Sequence, residues 1–155
     1  MFKRILMVLL LFTLFGCSNT TNKEEDKSEY IAIKSNLLEE KEYMLKEELP
    51  LDIEINIDRM DESKVDYSVV FSNPDENMHD IEAMVVHNYY NEDMFPTLGL
   101  FNDKGELLKD SDEVIKLKDI INTNKNLGTI GLELKIYIKY IDDDGNKKEI
   151  YYKTT

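Results

Sequence analysis

From Leu51 onward apolar residues recur at every second position, and this period constrains the fold more than any other property of the chain. Leu51, Ile53, Ile55 and Ile57 alternate with Asp52, Glu54, Asn56 and Asp58. Such a run presents one apolar face and one wet face, the pattern of a half-buried strand. Val65, Tyr67, Val69 and Phe71 repeat it and close on the turn sequence Asn73-Pro74-Asp75. Ile81, Ala83, Val85 and His87 make a third run in which Met84 and Val86 are also apolar, leaving room for cover on both faces. Thr97 to Phe101 has the composition of a short strand, and Asn102-Asp103-Lys104-Gly105 turns the chain into Glu106-Leu107-Leu108. Val114 to Ile121 fits either a short strand or a helical turn. Ile130, Leu132, Leu134, Ile136, Ile138 and Tyr140 form the strongest run, which Asp144-Gly145 folds onto Lys148–Lys153 as a hairpin. Roughly seven or eight strands with no interleaved helix predict a mainly β domain over residues 50–155, an immunoglobulin-like antiparallel β-sandwich. With one cysteine and no tryptophan, the Cys-Trp-Cys core of antibody domains is absent and only the architecture is predicted.

Upstream of residue 50 the period changes. Tyr30, Ile33 and Leu37 are spaced for one helical face, Met44 and Leu45 continue it, and Pro50 ends it, so residues 30–49 read as a helical lead-in. Tyr30-Ile31-Ala32-Ile33 also fits a short strand. Ser18 to Glu29 holds no apolar residue, and residues 17–29 are therefore expected to be a flexible tether.

At the start of the chain, Lys3 and Arg4 precede an uncharged run from Ile5 to Phe15, and Gly16 precedes Cys17. This is the three-part layout of an export signal, and about 11 apolar residues are too few to span a bilayer. Lys-Arg, a hydrophobic stretch and Leu14-Phe15-Gly16-Cys17 resemble the signal peptide and lipobox of bacterial lipoproteins. The resemblance covers the first 17 residues. It implies cleavage of a signal peptide, residues 1–16, at the Gly16-Cys17 bond, and a covalent diacylglycerol on the Cys17 thiol. It also implies localisation on the extracytoplasmic face of the cell membrane, with the lipid as anchor. A lone cysteine suits that chemistry, since an exported chain with one thiol has no intramolecular disulfide partner. Two acyl chains at about 0.8 kcal/mol per buried CH₂ hold a soluble domain on a bilayer.

The net charge is −13 and becomes −15 once Lys3 and Arg4 leave. This charge argues against nucleic acid or anionic lipid headgroups as partners, because a polyanion is repelled, and leaves basic partners and divalent cations open. Asp142-Asp143-Asp144-Gly145-Asn146 resembles a calcium loop in composition, but with Gly145 at the sixth position Tyr140 and Tyr151 fall where Asp and Glu are needed. His79, Asp80, Glu82 and His87 match no zinc spacing, and on one strand the histidines lie about 27 Å apart. No metal site is therefore predicted. No nucleophile elbow or Walker loop occurs, so no catalytic residue or cofactor is predicted and the chain is not expected to be an enzyme. Tyr89, Tyr90 and Phe95 give the segment 88–97 more aromatic weight than a plain loop needs, and they are the candidate binding residues. Their alternative role is to cap the core at one end of the sandwich. The expected function is protein–protein recognition at the cell surface, as an accessory module acting on another surface or membrane protein. Immunity or surface exclusion toward a neighbouring complex, and small-ligand or cation binding, are the alternatives.

Overall fold

The computed structural model describes residues 21–39, 42–60, 64–89, 94–122 and 131–154. The alternating runs form strands β1 (Asp52–Met60), β2 (Lys64–Ser72) and β3 (Met78–His87), followed by the short β4 (Thr97–Leu98) and β5 (Gly105–Leu107). Strands β6 (Ile115–Asn122), β7 (Leu134–Ile141) and β8 (Lys147–Lys153) complete the set. All pairings among these strands are antiparallel. One sheet has the order β1-β2-β6; the other has the order β4-β3-β7-β8, with β5 pairing β3 beside β4. The ambiguous run after Val114 is thus a strand, held to β2 in a register that brings Ile121 opposite Val65 and Leu117 opposite Val69.

The two sheets face each other as a β-sandwich across a core that includes Val65, Tyr67, Val69, Phe71, Val85, Ile136, Ile138 and Ile150. These are the alternate positions of each strand, so the sequence period and the buried face coincide. Gly99 stops β4 after two residues. Its φ is +76°, and a Cβ there would lie 2.8 Å from the carbonyl oxygen of Ile81. The five-residue strand expected over Thr97–Phe101 therefore bends away from the sheet, burying Leu100 and exposing Phe101.

One helix, α1 (Thr21–Leu38), covers the outer face of the second sheet. Tyr30, Ile33 and Leu37 meet Met84, Val86, Phe95, Leu100 and Tyr137 in a second apolar core. Strand β3 is consequently buried on both sides, which explains its doubled apolar pattern.

The expected boundaries of this region need correction. The helix does not start at Tyr30 and run to residue 49; it occupies Thr21–Leu38, so its first nine residues fall in the stretch expected to be a flexible tether. Once Tyr30, Ile33 and Leu37 dock, the Lys- and Glu-rich residues before them extend the helix at low cost, because propagation needs helix formers and no apolar face. At the other end, sheet pairing competes with the helix. The Met44 N–H donates to the Tyr151 carbonyl at 2.8 Å, and Met44 bridges Tyr152 in parallel along the β8 edge. Only a 3₁₀ turn at Lys46–Glu48 precedes Pro50.

Candidate functional site

The second core is fastened by polar contacts between residues 29 and 38 of the helix. Lys139 of β7 lies 3.0 Å from Glu29 and 2.5 Å from Glu82, and Lys104 lies 2.5 Å from the other oxygen of Glu82. Glu82 is buried, yet these two lysines outweigh its desolvation and hold its carboxyl below the usual range. Farther along, the buried Tyr30 hydroxyl accepts the Phe95 N–H at 2.8 Å. At the far end Lys135 donates to the Leu38 carbonyl at 3.5 Å. Residue 29 thus sits over the pair Glu82–Lys139 and residue 38 near Lys135, opposite Val86, so α1 runs in the same direction as β3.

Beside the helix lies an open apolar groove of about 920 Å³. Tyr30, Ile31, Lys34 and Leu38 form one wall; Met94 and Phe101 form the other. Ile31 and Met94 are each 56 % exposed, Phe101 44 % and Leu38 38 %. Among the described residues eight large apolar side chains are exposed, and these four gather in one place. Gathered exposure of this kind marks recognition surfaces, whereas scattered exposure is ordinary. The polar rim is Asp26, Lys27, Lys34 and Ser35. Lys34 is held with its Nζ 5.0 Å from the Phe95 ring centroid.

The three candidate aromatics part company. Phe95 is buried between α1 and the sheet, its ring edge-on to His87 at 5.0 Å, and it serves the second core. Tyr89 is half-buried, and its N–H donates to His87 Nδ1 at 3.1 Å. Tyr90 lies outside the described residues, as do Gly16 and Cys17. The side chains offered to solvent are instead Met94, next to Phe95, and Phe101, past the Gly99 bend. A usable signal existed on the helix: the doubled apolar pairs Tyr30-Ile31 and Leu37-Leu38 exceed what one buried stripe consumes.

His79 and His87 occupy opposite ends of β3. His87 is buried, and desolvation lowers its pKa to about 4. The carboxylate of Asp142 in the β7–β8 turn accepts the N–H groups of Asp144 and Asn146 and the Asn146 amide, and it lies 3.2 Å from Lys148. Those donors, led by Asn146, hold its pKa down to about 2, and they leave the carboxylate committed to shaping the hairpin tip. No cluster of three or more metal-ligating side chains occurs among the described residues. No described helix is long and apolar enough to cross a membrane. Comparison with protein-family models, with curated proteins and with solved structures found no match.

Proposed function

We propose that this chain is a lipoprotein anchored through a diacylglycerol on Cys17, which displays an immunoglobulin-like sandwich outside the cell and acts by protein recognition rather than catalysis. The order β1-β2-β6 facing β4-β3-β7-β8 corresponds to strands A-B-E and C′-C-F-G of that architecture and supports the finer fold reading. The observation that carries the functional reading is the groove beside α1. Its occupant is a segment of a neighbouring surface or membrane protein that presents apolar side chains, as in helix-in-groove recognition.

Cells expressing the wild type and Cys17→Ala, fractionated and analysed by intact mass, test the anchor. The wild type is expected in the membrane with a diacyl mass on Cys17, and the variant unprocessed or released. A photocrosslinking residue at Met94 on intact cells tests the groove: one defined membrane protein is expected in the adduct, and Ile31→Asp should abolish it. An adduct unaffected by Ile31→Asp refutes the groove as the recognition site.

A further inference from the structure

His79 stands where three separate segments meet. Met78 and Ile81 both point into the sandwich core although they are three residues apart, which an uninterrupted strand does not allow. A bulge between them, with Asp80 at φ 51°, makes this possible and shifts the register of β3 on both β5 and β7. The bulge leaves His79 outside, between β5 and the tip of the β7–β8 hairpin. Its Nδ1 lies 2.6 Å from Glu106 Oε1 and its Nε2 lies 2.9 Å from Asp143 Oδ1. Asn77 completes the junction, donating to Asp143 Oδ2 at 2.9 Å and accepting the Lys109 N–H at 2.8 Å.

Both ring nitrogens face carboxylate oxygens at hydrogen-bonding distance. A neutral imidazole carries one N–H, so its second nitrogen would turn a lone pair toward a carboxylate. Only the imidazolium satisfies both contacts. Nearby, Lys148, Glu76 and Asp142 are engaged with one another: Lys148 lies 2.7 Å from Glu76 and 3.2 Å from Asp142, and Tyr140 donates to Glu76 at 2.7 Å. Asp80, on the same strand, and Asp144, in the hairpin tip, are the acidic residues next in sequence to His79 and Asp143.

We propose that His79 is a proton-operated latch, which ties β5 to the β7–β8 hairpin tip when charged and releases one of them when neutral. The carboxylates of Asp143 and then Glu106 raise the histidine above its ordinary value, in the direction the latch requires. The latch contribution is therefore full below the unfolded value of about 6.5 and is lost as pH rises through the higher folded value.

The chain has two histidines, so NMR of the full chain in detergent micelles resolves both ring Cε1–H signals. One midpoint near 4 is expected for His87, and one above about 6.5 for His79. Amide signals of Glu106, Leu107 and Asp143 to Gly145 should shift with the higher midpoint, and in His79→Gln that movement should disappear. Glu106→Gln alters an exposed side chain and should lower the His79 midpoint with the fold intact. A His79 midpoint at or below 6.5, or β5 and hairpin-tip amides that ignore the titration, overturns the latch.

Discussion

The molecule holds two apolar cores that share one sheet, and they are built on different principles. Between the sheets, the long strands contribute mainly alternate residues, and long-range pairing fixes their positions. Between α1 and the outer face of β3 and β7, one helix supplies three side chains, Tyr30, Ile33 and Leu37, and a line of polar fasteners supplies the rest. The first core is the condition for the fold. The second is an addition to it, and the apolar groove proposed for recognition belongs to the addition, opening where the helix has more apolar residues than the sheet can cover.

If the cores differ in this way, damage to them should differ in kind. Phe71→Ala empties a fully buried site between the sheets and should cost about 3 to 5 kcal/mol. Denaturant unfolding followed by tyrosine fluorescence and by far-UV circular dichroism should shift together. Leu37→Ala is also fully buried and should cost about 2 to 5 kcal/mol, but through undocking of α1. Hydrogen exchange should then show the helix unprotected while β2 and β6 keep their protection. Equal loss of protection in both sheets would dissolve the distinction between the cores.

His87 sharpens the comparison, because it touches both sides: its ring lies 6.2 Å from Tyr67 in the first core and 5.0 Å from Phe95 in the second. Its folded pKa of about 4 lies below the unfolded value. As pH falls from about 6.5 to 4, the unfolded chain takes up a proton that the folded chain refuses, and stability should drop by on the order of 3 kcal/mol. The difference between wild type and His87→Phe across that range isolates this contribution. Smallest is Tyr30→Phe, which leaves the Phe95 N–H without its acceptor and should cost about 1 to 3 kcal/mol. Melting temperature measures it, and β2 and β6 exchange should stay unchanged.

The two cores were also unequally legible in the sequence. Strands β1, β2 and β7 follow from alternation, since a period of two with charges between leaves little else; β3 follows from its doubled apolar run and β8 from the Asp144-Gly145 turn. The helix limits did not follow, because residues 21–29 carry no apolar pattern and are helical only by continuity with the docked stretch after them. Met44 illustrates the converse: its position extends the helical spacing, yet an open sheet edge offered its N–H a better partner. The His79 junction was not legible either. Its partners stand 27 and 64 residues away, and the bulge that presents the ring depends on Met78 and Ile81 both finding the core. Of the candidate binding segment the general location was readable. Which side chains face outward depends on the Gly99 bend and on the claim the second core makes on Phe95.

The direction of α1 has a consequence for geometry at a membrane. The helix travels with β3, so its first turn lies toward the end where His79 and the hairpin tip meet. Its 18 residues make a rod of about 27 Å fastened at residues 29, 30 and 38. With Cys17 as the anchor proposed above, three residues of sequence separate it from Thr21, where the helix begins. On that proposal the sandwich would have a heading, with its His79 end toward the headgroups and the groove beside α1 within a few tens of ångströms of the bilayer. Encounter becomes a search in two dimensions, open to neighbours that share the membrane. The proton concentration that His79 reads would then be that of the lipid surface, which differs from bulk wherever the lipids are anionic.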